Sequence, residues 1–325
     1  MTATPNTPMV VIVGPTASGK SALAMYIAEL FGGEVLACDS TQLYRLFNIG
    51  TAKPTEAERR RVPHHLIDLY DPEQLSTAGE YRRQAIGALE DLRRRASLPI
   101  LTVGTGLYLR ALLEGLAEAP LRSEVLRARL STQSARNAPD YLHRMLMRMD
   151  SETAARIAPR DHQKLIRAIE VCMLTGKRIS DVHRSGRTPL EGFRPIKIGL
   201  APPRAELKTR IASRITAMLD RGWLEEVRQL VASGVPGHCK PFDFIGYREL
   251  RVHLSGSMGL EDAVADIEQA THRYAKRQLT WFRKVPDVCW FKGFGDSAAI
   301  QALVSANLKA ELPNPPARAT VTKDV

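Results

Sequence analysis

The stretch that decides the fold is MVVIVGPTASGKS, residues 9–21. Residues 9–13 form a short apolar run rich in β-branched side chains, which is typical of a buried strand. Residues 14–21 match the pattern GxxxxGK[ST] in full, and apolar residues with helical spacing follow over 20–30. A strand, a glycine-containing loop and a helix in this order predict a phosphate-binding loop.

Each residue type of this loop has a use in holding a phosphate group. Gly14 and Gly19 permit a tight turn, so that backbone N–H groups converge on phosphate oxygens at the start of a helix, where the dipole favours anions. Lys20 neutralises the terminal phosphate, and Ser21 can coordinate a Mg²⁺ ion that bridges phosphates. A chance match in a glycine-containing turn is the alternative. The loop does not say which phosphate compound is bound, and a kinase acting on ATP or GTP is the default.

Strand-like and helix-like patterns alternate outward from this loop over the first 110 residues. The runs at 33–38 and 99–103 predict two more buried strands, and Ser76 is a candidate cap for a helix that ends near Arg95. Near-continuous apolar strands that alternate with helices indicate an α/β fold, namely a P-loop NTPase-like parallel sheet flanked by helices.

Residues 115–187 differ from this pattern, because they are rich in arginine, lack strand-like runs and show helical periodicity. Helical segments are predicted at 141–147 and 161–174, with Gly176 as the C-terminal stop. We interpret residues 115–187 as an all-helical subdomain inserted into the α/β core. The α/β core would then comprise residues 8–114 and 188–310.

The second half of the core has its own pattern. A strand is predicted at 194–201 and a last strand at 288–291. Helices are predicted at 204–220, 223–233 and 260–284. The tail, 311–325, is rich in proline and alanine and is predicted to be disordered.

The chain has 325 residues and a formal net charge of +11, which is unevenly distributed. Residues 1–121 carry 12 Lys and Arg against 13 Asp and Glu, whereas residues 122–187 carry 14 against 7. Residues 188–325 carry 20 against 15. A basic surplus outside the N-terminal third suggests a polyanionic partner, with arginine-rich solvated helix faces as the plain alternative.

Composition disfavours several classes of protein. Hydrophobic residues make up 44% and charged residues 25%, as in folded globular proteins rather than disordered ones. No run of about 18 apolar residues predicts a membrane span, and the first residues do not resemble a secretory signal. The cysteines, at 38, 172, 239 and 289, lack CxxC or metal-ligand spacing, so neither a zinc site nor a disulfide is expected and a reducing cytoplasm fits.

The segment DSTQLY, residues 39–44, follows the second predicted strand and carries a carboxylate, a hydroxyl, an amide and a phenol. Asp39 would therefore lie at the carboxyl edge of the sheet beside the phosphate loop, where α/β proteins bind ligands. A helix cap is the alternative for Asp39. These groups are suited to reading a base edge or to accepting a proton.

Seven motifs in order make the chain similar to the bacterial tRNA dimethylallyltransferases, also called tRNA isopentenyltransferases. They are GPTASGKS (14–21), DSTQLY (39–44), NIGTAKP (48–54), HHLID (64–68), VGTGLYLRALLEGL (103–116), GYRE (246–249) and KRQLTWFR (276–283). The resemblance implies transfer of the dimethylallyl group of dimethylallyl diphosphate to N6 of adenosine 37, in tRNAs that read codons beginning with U. Diphosphate leaves, and Mg²⁺ is required. In this enzyme class residues 8–114 and 188–310 would be the catalytic core, and the helical insert 115–187 would bind the tRNA.

The resemblance also implies a role for each matching residue. Asp39 would be the general base that accepts a proton from N6 of a flipped-out adenine, a step worth roughly 10²–10⁴ in rate. Thr16 would contact the bridging region of the diphosphate, and Arg214, or else Arg210 one turn earlier, would bind it. The diphosphate-binding residues would be Gly14, Pro15, Thr16, Ala17, Ser18, Gly19, Lys20 and Ser21, with Ser21 as metal ligand. The tRNA-binding residues would be Asp39, Ser40, Thr41, Gln42, Thr105, Arg127, Gln163, Lys164, Leu165, Ile166, Arg167, Gly246, Tyr247, Arg248, Lys276, Arg277, Gln278 and Arg283. Trp281 and Phe282 are expected to be packing residues.

Two other enzyme classes stay open at this point. A small-molecule kinase would explain the phosphate loop but not the other six motifs, and an adenylate isopentenyltransferase acting on AMP or ATP would not need the basic insert. The family patterns GGTGLY and RIHPND here read VGTGLY and RIAPRD, so no family contact is expected at Ala158 or Arg160. The expected partners are the anticodon stem–loop of tRNA and dimethylallyl diphosphate, with Mg²⁺ as cofactor. A cytoplasmic monomer without a membrane anchor is expected.

Overall fold

The computed structural model describes residues 6–117, 119–184 and 186–312. Of the tail that was predicted to be disordered, residues 313–325 lie outside this part of the chain. The prediction was wrong at residue 311, because a final helix ends there. Among the described residues, no helix is long and apolar enough to cross a membrane.

The described residues form a six-stranded parallel sheet, which confirms the predicted fold class. The strands are β1 Thr7–Val13, β2 Gly33–Cys38, β3 His64–His65, β4 Leu98–Val103, β5 Phe193–Leu200 and β6 Val288–Phe291. Their spatial order is β3-β2-β4-β1-β5-β6. The middle of β1 has no exposed surface, because helices cover both faces of a parallel sheet, and this burial explains its uninterrupted apolar run.

Helices connect and flank these strands. In the first half they are α1 Lys20–Phe31, α2 Glu56–Arg61, α3 Ala78–Arg94 and α4 Gly106–Glu114. The helical segment that follows contains α5 Glu124–Arg136, α6 Tyr141–Met149, α7 Ser151–Ala154, α8 His162–Thr175 and α9 Ile179–Arg184. The last part contains α10 Arg204–Asp220, α11 Trp223–Ala232, a 3₁₀ turn at Lys240–Asp243, α12 Tyr247–Leu254, α13 Leu260–Phe282 and α14 Ala298–Glu311.

The cap of α3 is Thr77 and not Ser76, so that prediction was wrong. The Thr77 hydroxyl accepts from the amide of Glu80, whose carboxylate accepts from the amide of Thr77 at 3.2 Å, which completes a capping box. Ser76 instead contacts two phenols, those of Tyr44 and Tyr108, each at 3.1 Å. Ser76 therefore forms tertiary hydrogen bonds and does not cap the helix.

The chain divides into two compact units. The helical unit is Leu113–Leu190, and the α/β unit is formed by the residues that precede and follow it in the sequence. The α/β unit takes in the described residues of 1–112 and 191–312. Inside the helical unit, α8 begins at the cap Asp161 and ends at Gly176, which adopts a φ of 67°. Its apolar face packs against α6, where Leu142 and Leu146 are buried.

Candidate active site

A cavity of about 860 Å³ lies in the α/β unit, where β1, β2 and β4 end at their carboxyl edge. It is lined by the phosphate loop, by the segment after β2 and by residues of α10 and α13. Ligands of open parallel sheets bind at this edge, so the cavity is the candidate active site.

The phosphate loop turns tightly between β1 and α1 because three of its residues adopt a positive φ. These are Gly14, Ala17 and Gly19, at 150°, 62° and 85°. A Cβ at position 19 would lie 2.7 Å from the backbone nitrogen of Gly295, so only glycine fits there. The Gly295 amide also donates to the carbonyl of Ser18 at 2.9 Å. The loop is therefore held against the segment that follows β6.

Lys20 points back into this loop. Its Nζ donates to the carbonyl oxygens of Gly14 at 2.8 Å and Pro15 at 2.7 Å. Burial, followed by repulsion from the Arg214 guanidinium, lowers the pKa of Lys20 to about 7, while the Asp39 carboxylate acts in the opposite direction. Near neutral pH a fraction of the protein thus holds Lys20 as a neutral amine, and an anion in the loop would favour the charged form.

Asp39 follows β2 and lines the cavity. Its Oδ1 accepts from the amide and the hydroxyl of Thr41, at 2.9 and 2.8 Å. The other oxygen, Oδ2, lies against Gly104, where an added Cβ would come within 1.9 Å of it. Residue 104 must therefore be glycine for the carboxylate to keep this position.

Thr105 does not line the cavity but fixes the segment that does. Its hydroxyl accepts from the amide of Ser40 at 3.0 Å and donates to the Ser40 hydroxyl at 3.1 Å. The side-chain amide of Gln42 donates to the carbonyls of Thr51 and Ala52, at 3.2 and 3.1 Å. The structure therefore brings residues 39–42 to one wall of the cavity and anchors them at both ends.

The two arginines that the sequence could not separate differ in their surroundings. Arg210 forms an ion pair with Asp296 and stacks over the ring of Phe294, with 4.5 Å from Cζ to the ring centroid. Arg214 lines the same cavity, and among the described residues it has no hydrogen-bond or ion-pair partner. Burial lowers the pKa of Arg214, and repulsion by Arg221 adds to this. Arg214 is thus a desolvated cation beside the cavity, attracted by the Asp39 carboxylate but without a direct ion pair to any described residue.

Sequence reasoning missed an anchor beneath the segment 48–54. Lys53 is buried, and its Nζ donates to Asp68 at 2.6 Å and to the side-chain oxygen of Asn48 at 3.1 Å. Asp68 also pairs with Arg59 at 3.0 Å, and these cations hold the pKa of its carboxyl below the usual value. The signal was present, since Lys53 and Asp68 lie in the motifs NIGTAKP and HHLID. Their function is to hold the wall of the cavity.

Gly246, Tyr247 and Arg248 lie outside the cavity lining. Trp223, which does line the cavity, is held between Gly50 and Gly246, where an added Cβ would approach the indole to 2.2 and 2.0 Å. The Tyr247 hydroxyl donates to Glu226 at 2.6 Å and is buried. Arg248 pairs with Glu249 at 2.6 Å. This motif therefore supports the cavity wall through packing.

Within the helical unit, most of the predicted tRNA contacts are engaged internally. Leu165 and Ile166 belong to its apolar core. Arg127 and Arg167 both pair with the fully buried Glu170, at 2.9 and 2.7 Å. Lys164 pairs with Asp161 at 2.5 Å, whereas the side chain of Gln163 is exposed.

Helix α13 presents a row of cations. They are Arg273, Lys276, Arg277, Arg283 (which caps its C-terminus) and the following Lys284, all exposed. None of them forms an ion pair with another described residue. Trp281 rests on Gly106 and Phe282 is buried, which confirms that both are packing residues. Gln278 is also buried and is bonded on both sides within the α/β unit.

Comparisons with known proteins agree with this site. The profile of the family described as IPP transferase matches residues 42–285, and that of the isopentenyl transferase family matches residues 7–68. A tRNA dimethylallyltransferase of Solibacter usitatus is 48% identical over 294 residues, 90% of this chain and 95% of the relative. One of Koribacter versatilis is 50% identical over 291 residues, 89% and 94% of the two chains.

Solved structures give the same result. The tRNA isopentenylpyrophosphate transferase of Bacillus halodurans has a TM-score of 0.68 at 34% identity, with 94% of this chain and 96% of that chain covered. A eukaryotic dimethylallyltransferase, described as acting on tRNA, has a TM-score of 0.79 at 26% identity, with 94% and 80% covered. The fold and these matches define a prenyl-transferring enzyme on a P-loop scaffold. The chain belongs to the tRNA dimethylallyltransferase family.

Proposed function

We propose that this enzyme transfers the dimethylallyl group of dimethylallyl diphosphate to N6 of adenosine 37, in tRNAs that read codons beginning with U. The observation that supports this most is the meeting of three groups in one cavity, namely the phosphate loop with Lys20, the unpartnered Arg214 and the carboxylate of Asp39. They supply charge for a leaving diphosphate and a base for the incoming amine.

The diphosphate would be held by residues 14–21 and Arg214. The hydroxyl of Ser18 is buried and has no hydrogen-bond partner among the described residues. A buried hydroxyl without a partner costs free energy, unless a bound ligand forms a hydrogen bond with it. Arg214 would form a charge-assisted contact with phosphate oxygens, which compensates for its desolvation. Arg210 is already committed to Asp296, which favours Arg214 for this role.

The Mg²⁺ site would be built largely by the substrate. The Ser21 side chain is exposed beside the loop, and among the described residues no group of three His, Cys, Asp or Glu side chains is arranged to hold a metal. This fits Mg²⁺, which prefers phosphate oxygens and water with few protein ligands. Bound there, the ion would neutralise charge on the leaving diphosphate.

The transfer step then follows from the positions of these side chains. The lone pair of N6 attacks the allylic carbon, the carbon–oxygen bond breaks, and its electron pair leaves with the diphosphate. An aromatic amine is a weak nucleophile, so the Asp39 carboxylate assists by accepting the N6 proton as the new bond forms. The adenine must leave its stack to reach the cavity, and the segment 40–42 would contact it there.

The proposed function is tested by offering a choice of acceptors. The enzyme is incubated with Mg²⁺ and labelled dimethylallyl diphosphate, together with either unmodified tRNA or AMP. We expect label to enter tRNA at N6 of adenosine 37. Label in AMP alone would replace the proposal with adenylate prenylation, and turnover of ATP alone would indicate a kinase.

Affinity for diphosphate should fall as the pH rises above 7. The free enzyme has a pKa of about 7 at Lys20, and bound phosphate oxygens raise that pKa because they favour the charged amine. Binding therefore takes up a proton above pH 7, and between pH 7 and pH 9 the affinity is expected to drop by about 50-fold. Calorimetry with dimethylallyl diphosphate, in two buffers of different ionisation enthalpy, measures the uptake. Binding at pH 8 without proton uptake would contradict the prediction.

Binding of tRNA should weaken steeply with salt, because cations that contact phosphates release counterions. The exposed cations of α13 have no acidic partners among the described residues, so they are free to make such contacts. Replacing Lys276 and Arg283 with glutamine should reduce the slope of log Kd against log salt by about 1 for each. Lys309→Gln, which removes an exposed charge from α14, is the matched control and should leave the slope unchanged. Equal slopes for all variants would place the RNA elsewhere.

A further inference from the structure

We propose that Gln278 is a positioning residue that sets the spacing between the phosphate loop and the catalytic carboxylate. This inference rests on the proposed function, and it gives Gln278 a role other than direct contact with tRNA. The side chain spans two segments that are far apart in sequence, and each of them carries one half of the reaction.

The geometry is a single amide bonded at both ends. The Oε1 atom of Gln278 accepts from the backbone amide of Thr16, at 2.7 Å, across 262 positions of sequence. Its Nε2 donates to the carbonyl of Gly104 at 2.8 Å. A carboxamide can do this because it offers a donor and an acceptor at a fixed separation.

The two bonded segments are those on which transfer depends. Thr16 lies in the phosphate loop, and its amide direction determines how the loop meets a diphosphate. Gly104 is the residue against which the Asp39 carboxylate rests. Gln278 therefore fixes the loop that holds the leaving group relative to the group that accepts the proton.

The neighbouring turn of α13 strengthens this link. The hydroxyl of Tyr274 donates to the same carbonyl of Gly104 at 3.0 Å, so the carbonyl accepts two bonds from one face of the helix. Burial raises the pKa of Tyr274, which keeps the phenol protonated as a donor. Two donors aimed from one rigid helix restrain the position of Gly104 more than either alone.

Burial argues against an RNA contact by this side chain. Gln278 has a relative exposure of 6%, and both polar atoms of its amide have partners within the α/β unit. Its neighbours Lys276 and Arg277 are exposed, and Arg277 lines the cavity as Gln278 does. The motif 276–283 thus combines exposed cations with one amide whose polar atoms are already bonded within the α/β unit.

The test is Gln278→Met, which keeps the volume and removes both hydrogen bonds. We expect the single-turnover rate of prenyl transfer to tRNA, with both substrates saturating, to fall by about 10- to 100-fold, since misplaced reacting groups lose rate steeply. Binding of inorganic diphosphate should weaken as well, whereas Kd for tRNA should stay unchanged. Gln84→Met, the same replacement at an exposed position of α3, is the matched control and should behave as wild type.

A second variant separates positioning from simple loss of stability. In Gln278→Glu, a protonated carboxyl can still accept from Thr16 and donate to Gly104, whereas the ionised form cannot donate. Its rate relative to wild type should therefore recover as the pH falls from 8 to 6, while the relative rate of Gln278→Met stays flat. A lower melting temperature with normal single-turnover rates would show a structural role and overturn the inference.

Two further outcomes are decisive. If Gln278→Met raises Kd for tRNA with an unchanged saturating rate, the residue contacts RNA and the inference is wrong. If the wild-type enzyme does not prenylate tRNA, the proposed function fails instead. Binding of inorganic diphosphate, measured without turnover, still compares the variants in that case, and an unchanged affinity in Gln278→Met would overturn the link to Thr16.

Discussion

Asp39→Asn is expected to lower the rate of prenyl transfer by about 10²–10⁴ while leaving tRNA affinity unchanged. Asparagine has the shape of aspartate, so its oxygen can still accept from Thr41 and its side chain still fits against Gly104. What it loses is the ability to accept the N6 proton. The effect should therefore lie in the chemical step, measured as a single-turnover rate with labelled dimethylallyl diphosphate and saturating tRNA.

The matched control for this prediction is Asp287→Asn. Asp287 is an exposed carboxylate in a turn with a φ of 57°, a conformation that asparagine adopts readily. The control removes the same charge and should retain the wild-type rate. If Asp39→Asn also retained the wild-type rate, another group would have to accept the proton.

Arg214→Gln is expected to lower kcat/KM for dimethylallyl diphosphate by about 10²-fold, the loss typical of removing one preorganised contact to a developing anion. Arg210→Gln, one helical turn away, is the matched control and should cost far less, because it removes an exposed ion pair with Asp296. The measurement is steady-state kinetics at saturating tRNA. A larger loss at Arg210 than at Arg214 would assign the diphosphate contact to Arg210.

Arg214→Gln should lose more activity than Arg210→Gln, but its free energy of unfolding should be the higher of the two. Arg214 is desolvated and has no partner among the described residues, so its removal relieves a cost of burial. The free Arg214→Gln protein should therefore have a melting temperature equal to or above that of wild type. Arg210→Gln should lie slightly below wild type. This contrast in melting temperature would distinguish Arg214, which serves ligand binding, from Arg210, whose ion pair with Asp296 links α10 to the loop after β6.

Local signals in the sequence predicted the frame of the site well. The strand β2 and the helix α10 have the predicted bounds, because glycine, proline and apolar spacing mark their ends within a few residues. The strand β3 was missed because it has two residues and is defined only by pairing with β2. The error at Ser76 was avoidable, since Glu80 lies three residues after Thr77 and not after Ser76.

The roles of individual side chains could be predicted only in part. The phosphate loop with Lys20 and the place of Asp39 at the carboxyl edge of the sheet follow from local patterns, whereas the role of Asp39 as base follows only from the family resemblance. The separation of Arg210 from Arg214 depends on Asp296, which is 86 positions away from Arg210 and carries no local sign of that contact. Gln278 stands beside cations in its motif, and only burial distinguishes it from them. The roles of Arg210, Arg214 and Gln278 therefore depend on contacts with residues distant in sequence, which short motifs do not reveal.

The burial of Trp223 has a consequence for the fluorescence of the protein. The indole lies between two glycines at 2% exposure, with no partner for its N–H among the described residues, and it borders the cavity. Trp281 and Trp290 are more exposed, so the blue-edge fluorescence of the protein should come mainly from Trp223. Any molecule that fills the cavity changes the polarity around this ring. The enzyme thus carries a built-in spectroscopic reporter of its own occupancy, readable without an attached dye.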